Sequence, residues 1–170
     1  MNNTDKAFFT WLRSGLRKLS QRWPPIYQAL AAAKRPYVGD NKRKKFVWEC
    51  AKCGGLFNSN EVDVDHIKEA GTLLKLDDLP TFVANLFCST DGLQVLCKPC
   101  HSIRTYTQRY ACTEQEAIIA KKGIAFSKLT ATEQNKALQE LVGDANINIA
   151  RTKTAAKRKE YYLELLKGEC

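Results

Sequence analysis

The chain has only two histidines, His66 and His101, among its 170 residues. Any chemistry that needs an imidazole must draw on one of these two positions. No apolar run approaches the ~20 residues that would span a bilayer, so no membrane partner is expected. The opening segment "MNNTDKAFFTWLRSGLRKLSQRW" lacks a continuous apolar stretch and spreads its basic residues along its length, unlike a secretory leader. A reducing, cytoplasmic setting is therefore expected. There is no low-complexity segment, and no internal repeat beyond two cysteine pairs. The composition, 44% hydrophobic and 26% charged, is that of an ordinary soluble domain, and the length suggests one domain with helical additions.

Acidic residues are scarce in the first third. Residues 1–48 hold eleven Lys/Arg against two Asp, whereas residues 49–112 hold six against eight and residues 113–170 hold ten against eight. The basic excess thus stands beside the segment that carries most of the cysteine, both histidines and much of the aspartate. Such a flank suits a polyanionic substrate.

The cysteine count is seven, an odd number. Four fall into two tight pairs, "CAKC" (Cys50, Cys53) and "CKPC" (Cys97, Cys100). In a reducing compartment this pairing argues for zinc rather than disulfides, and two Cys-x-x-Cys pairs complete a tetrahedral ligand set. Such a zinc would close the long excursion between the pairs. Cys88 has the apolar setting of a small core residue. Cys112 and Cys170 are spare thiols.

Local pattern places these motifs. Phe8, Leu12, Leu16, Leu19 and Trp23 recur at three- and four-residue spacing, which predicts an amphipathic helix over 6–23 with Arg13, Arg17 and Arg22 off the stripe. "WPP" ends it, and "IYQALAAAKR" predicts a second helix that stops before Pro36. "GDNKRKK" reads as a basic loop, "KFVWEC" as a strand and "CAKCGG" as a knuckle. "EVDVDHI" alternates, which predicts a short strand with Asp63 and Asp65 on one face and Val62, Val64 and His66 on the other. The strand must end or bend near 65–66 for Asp65 and His66 to serve one site; Asp63, on the Asp65 face, is read as a solvent-facing strand residue, with a supporting place behind the site as the alternative. A short helix is expected after Pro80, an extended run at "DGLQVLC", and a helix starting near Pro99. "TEQE" (113–116) and "TATE" (130–133) are capping boxes. A last helix shows an apolar side at Tyr162, Leu165 and Leu166. Trp11, Trp23 and Trp48 are read as packing anchors, with base stacking as the alternative.

Neighbouring residues on a helix point about 100° apart. If Cys100 faces a zinc, His101 faces elsewhere, on a polar face with Arg104, Thr105 and Gln108. An aspartate, two imidazoles and a guanidinium beside a zinc-braced turn suit metal-assisted phosphodiester cleavage. A hard divalent cation takes a carboxylate and stabilises charge on phosphate. A neutral imidazole can take a proton from water, and an arginine can hold a phosphate.

With these residues in place, the sequence resembles the HNH endonucleases of the His-Me finger (ββα-metal) class. The matching pieces are "CAKC", "VDHI", "LQVLCKPCH" and "CHSIRT", over residues 46–106; "RSGLRKLSQRWPPIYQAL" and "KRPYVG" also resemble small HNH proteins of tailed bacteriophages. The resemblance implies that His66 is the general base, that Asp65 and His101 ligate a catalytic Mg²⁺ or Mn²⁺, and that Arg104, where the family often has lysine, contacts phosphate. It also implies that Cys50, Cys53, Cys97 and Cys100 clamp a structural zinc. One position departs from the pattern. The family's middle asparagine is here Gly92, preceded by Asp91, so that either Asp91 or the backbone is left to orient His66.

The fold expected is α+β: a zinc-clamped ββα-metal core over 44–112, a basic helical N-terminal arm over 1–43 and a helical C-terminal extension over 113–170. The expected function is divalent-metal-dependent hydrolysis of DNA phosphodiester bonds, with one nick per monomer and, as the resemblance implies, 5′-phosphate and 3′-hydroxyl products. Lys42, Arg43, Lys44 and Lys45, with Arg13 and Arg17, are the expected contacts to the DNA backbone. The protein is expected to be a monomer or weak dimer, in the host cytoplasm if phage-encoded. Two alternatives stand beside this reading: a non-catalytic zinc-stapled module that binds DNA or a protein partner, and a packaging nuclease that works beside a phage terminase.

Overall fold

A computed structural model of the protein describes residues 3–143 and 152–168; Cys170 lies outside the described residues. The chain mixes helices with two small sheets and divides into two compact units, Met1–His101 and Ser102–Cys170.

The first unit begins with α1 (Asn3–Ser20) and α2 (Pro24–Ala33). Pro24 and Pro25 occupy the first turn of α2, where a missing N–H costs nothing. A three-stranded antiparallel sheet follows, in the order β1 (Lys34–Pro36), β2 (Phe46–Glu49), β3 (Leu56–Phe57). Then β4 (Val62–His66) pairs antiparallel with β5 (Leu93–Cys97), and α3 (Leu79–Leu86) lies in the connection between them. Helix α4 (Lys98–Tyr110) starts directly after β5.

The core of this unit is built on Ala70, Leu73, Phe82 and Leu86, and α1 covers it with Phe9, Leu12 and Leu16. The expected stripe on α1 is therefore displaced at its ends. Phe8 and Leu19 are 45% and 61% exposed, while the inward line runs through Phe9, Leu12, Leu16 and the buried Ser20. Adjacent phenylalanines offer two helical stripes of equal regularity, and the partner surface takes Phe9. Trp11 is no packing anchor, since it is 71% exposed. Trp23 is one: its Nε1 donates to the Cys88 carbonyl at 2.8 Å, and its ring meets Phe87 edge-on.

The second unit holds α5 (Glu114–Phe126), α6 (Ala131–Val142) and α7 (Ala155–Lys167) around Phe126, Leu138 and Tyr161. Tyr161 is the most buried residue of α7, and Tyr162 and Leu165 pack beside it, with Tyr162 stacked on Phe126 at 4.2 Å. Both expected capping boxes form: Thr113 accepts from the Glu116 amide and Thr130 from the Glu133 amide, and each glutamate returns to its threonine's N–H. Removing one such cap by Thr113→Ala is expected to cost this unit about 1 kcal/mol, read as a lower midpoint in helical circular dichroism.

Candidate metal centre and active site

The two cysteine pairs meet. Cys50, Cys53, Cys97 and Cys100 bring their sulfurs within 4.8 Å of one another, with Cys53 and Cys97 4.0 Å apart. Four thiolates around a zinc at about 2.3 Å stand roughly 3.8 Å apart, so the cluster is compatible with a structural zinc. Local backbone makes the pocket. Gly54 adopts φ +69°, a left-handed conformation that glycine takes without steric cost, and its N–H returns to the Cys50 carbonyl at 2.9 Å. The Ala51 amide bonds the Val95 carbonyl at 2.8 Å, tying the knuckle to β5.

Charge in this cluster is uneven. Burial pushes the Cys50 thiol up, but the amides of Cys97, Cys53 and Lys52 outweigh it and bring Cys50 down to about 6. Cys97 and Cys100 are driven the other way, first by burial; the Cys50 sulfur adds to the rise in both, while at Cys97 the Cys100 amide and thiol partly offset it. Without metal, the cluster holds the Cys50 charge at neutral pH and keeps protons on Cys97 and Cys100.

One residue beyond Cys100, His101 turns away from the cysteines and toward β4. Its Nδ1 lies 3.3 Å from Asp63 Oδ2, and its Nε2 lies 3.8 Å from Asp65 Oδ1. Strand alternation supplies both carboxylates, since Asp63 and Asp65 share a face of β4. Asp65 is the more sequestered, its side chain 15% exposed against 44% for Asp63. Gln94 stands opposite Asp65 in the β4–β5 register, with its amide nitrogen 3.4 Å from Asp65 Oδ2. That contact occupies one carboxylate oxygen while the other faces His101.

His66, the last residue of β4, is held by different means. Its Nε2 is 2.9 Å from the Leu86 carbonyl at the end of α3. A carbonyl oxygen only accepts, so Nε2 carries the hydrogen of this contact. The Asp91 carboxylate accepts the Ser89 hydroxyl, a bond that lowers its pKa. Gly92 pairs through its backbone, accepting from the Ile67 amide at 2.9 Å.

A side chain at Gly92 would have nowhere to go. A Cβ there would stand 2.8 Å from Cys88 Sγ and 3.0 Å from Cys88 Cβ. Gly92→Ala is therefore expected to destabilise the first unit by about 1–3 kcal/mol, with partial recovery in Gly92→Ala/Cys88→Ala. All three tryptophans lie in that unit, so fluorescence-monitored denaturation reads it.

The basic residues are spread over separate elements. Arg104 follows His101 by one helical turn on α4, half-buried. Arg13 and Arg17 are on α1, with the Arg17 guanidinium 5.8 Å over the Phe82 ring. Lys42, Arg43, Lys44 and Lys45 lie in the β1–β2 connection, where Lys44 sits 4.5 Å over Tyr37.

Asp63, read first as a solvent-facing strand residue and second as a support behind the site, pairs with His101. Two further contacts escaped the sequence reading. Gln94 had a visible signal in its place on the strand facing "VDHI". The Leu86 carbonyl had none, because a backbone acceptor leaves no mark in residue type.

Over 68 residues the chain is 38% identical to a protein of Lactococcus phage SK1 named "Probable HNH endonuclease". The aligned stretch covers 40% of this chain and 65% of that protein, slightly less than two thirds of its length. No family model and no solved structure matches the chain. A sequence whose motifs resemble those of the HNH endonucleases is thus similar, over two fifths of its length, to a phage protein that carries that family's name.

Proposed function

We propose that the protein is a divalent-metal-dependent endonuclease of the HNH type that hydrolyses DNA phosphodiester bonds, nicking one strand per monomer. The observation that carries this reading is the approach of Asp65 Oδ1 and His101 Nε2 to 3.8 Å beside a four-cysteine cluster. One carboxylate and one imidazole at that separation suit a small, oxygen-seeking cation that keeps most of its waters. The order strand β4, strand β5, helix α4 agrees with a ββα-metal core.

Asp65 and His101 would hold the catalytic Mg²⁺ or Mn²⁺. When bound, that ion supplies charge stabilisation at the scissile phosphate and the leaving oxygen. His66 works as the base. The Leu86 carbonyl holds its hydrogen on Nε2, so Nδ1 is the atom that takes a proton from the attacking water. Arg104 steadies a phosphate through charge-assisted hydrogen bonds. Lys42, Arg43, Lys44, Lys45, Arg13 and Arg17 hold the DNA backbone without reading sequence. Among the described residues no helix is long and apolar enough to cross a membrane. Activity in the host cytoplasm, alone or beside a terminase, completes the proposal.

A second reading, DNA binding without cleavage, is favoured by Gly92, which places no side chain where the family has its asparagine. One assay separates the two. Supercoiled plasmid incubated with the protein and Mg²⁺ or Mn²⁺ is expected to accumulate open circles, and chelation by EDTA to stop this. Retarded but uncut plasmid under all metal conditions would favour the binding module.

A further inference from the structure

Asp63 has no part in the scheme above, yet it makes the shorter of the two carboxylate contacts to His101. Its Oδ2 is 3.3 Å from Nδ1, whereas Asp65 Oδ1 is 3.8 Å from Nε2. The first separation lies at the outer edge of hydrogen-bonding range and the second beyond it. Carboxylates on both sides of one imidazole do different work if only one of them receives its hydrogen. We propose that Asp63 is a positioning residue that receives the Nδ1 hydrogen of His101, fixes the ring, and leaves the Nε2 lone pair facing Asp65 for a divalent cation. The inference rests on the reading of Asp65 and His101 as the metal pair.

The local structure favours this division. Asp63 and Asp65 are two residues apart on β4, so both project from one face, and Asp63 stands opposite Leu96 in the ribbon, near the origin of α4. Asp65 has a second partner, the Gln94 amide nitrogen at 3.4 Å from Oδ2, which orients its Oδ1. Asp63 is the more exposed of the two, its side chain 44% accessible, and its replacement removes little packing. An imidazole that ligates a metal through one nitrogen commonly donates from the other to a carboxylate, which fixes the tautomer and raises the basicity of the ligating atom. Losing such a partner typically lowers metal affinity by about 10–100-fold.

The test reads the tautomer directly. In full-length, zinc-loaded protein without Mg²⁺ or Mn²⁺, at mildly alkaline pH, ¹⁵N-detected correlations are expected to show His101 protonated on Nδ1 and bare on Nε2. In Asp63→Ala the ring should revert toward the Nε2–H form favoured by unconstrained imidazole. Asp63→Asn, which keeps an acceptor without charge, should retain part of the Nδ1–H form. Mn²⁺ binding followed by electron paramagnetic resonance should weaken by about 10–100-fold in Asp63→Ala, with zinc content unchanged. An Nε2–H ring in the wild type overturns the inference without recourse to any variant. So does an unaltered tautomer, or unaltered Mn²⁺ affinity, in Asp63→Ala. A wild type with the expected tautomers that fails to nick DNA would instead overturn the nuclease reading.

Discussion

His66→Ala is expected to lower the single-turnover rate of metal-dependent plasmid nicking by about 10²–10⁴-fold, with little change in DNA affinity. The expectation follows from the tautomer. With Nε2 committed to the Leu86 carbonyl, Nδ1 is the atom able to take up a proton as water attacks phosphorus. In the proposed role the residue acts in the transition state and little in DNA binding, so kcat should fall and KM should hold. Small imidazoles added to the Ala variant should restore part of the rate by occupying the vacated space, an effect absent from the wild type. Two controls separate lost chemistry from lost structure: an unchanged tryptophan spectrum and an unchanged zinc content. Nicking at the wild-type rate by His66→Ala would remove His66 from the base role.

What could be read from the sequence divides along a physical line. Features that depend on residue type and short spacing were legible: two Cys-x-x-Cys pairs that meet, a strand that ends at an Asp-His, a Thr-x-x-Glu cap. Strand alternation likewise placed Asp63 and Asp65 on one face before any partner was known. The partners were another matter. His101 meets those carboxylates only because β4 and β5 pair in one register and α4 starts immediately after Cys97. Likewise, the Leu86 carbonyl reaches His66 because α3 ends there. On α1 the helix itself was legible, but the choice between Phe8 and Phe9 belonged to the surface it packs against. Gly92 shows the same limit from the other side. Its departure from the family pattern was plain, but its steric reason, the Cys88 side chain, depends on the turn that brings them together.

The cysteine cluster gives the other large expectation. Cys97→Ser should abolish tight zinc binding in native mass spectrometry and collapse the tertiary tryptophan signal of the first unit, as should prolonged chelation of the wild type. Zinc bound by four thiolates contributes on the order of 10–16 kcal/mol to small modules, more than the total stability of most domains. The catalytic effect follows from position. Cys97 ends β5 and Cys100 directly precedes His101, so a zinc on the four cysteines would fix the turn that aims His101 at Asp63 and Asp65. Nicking is therefore expected to vanish with the zinc, although the proposed role of the four cysteines is structural. The pH dependence has a definite sign. The zinc-bound state would carry thiolates, whereas without metal Cys97 and Cys100 are pushed toward the protonated form by burial and by the Cys50 sulfur. Zinc uptake at neutral pH must then release protons, and its affinity must fall as pH falls. Cys50, brought down to about 6, joins the released protons only below that pH. Calorimetric zinc titrations in buffers of differing ionisation enthalpy count those protons. Uptake without proton release would mean that Cys97 and Cys100 do not ligate as thiolates, and the turn that carries His101 would need another brace.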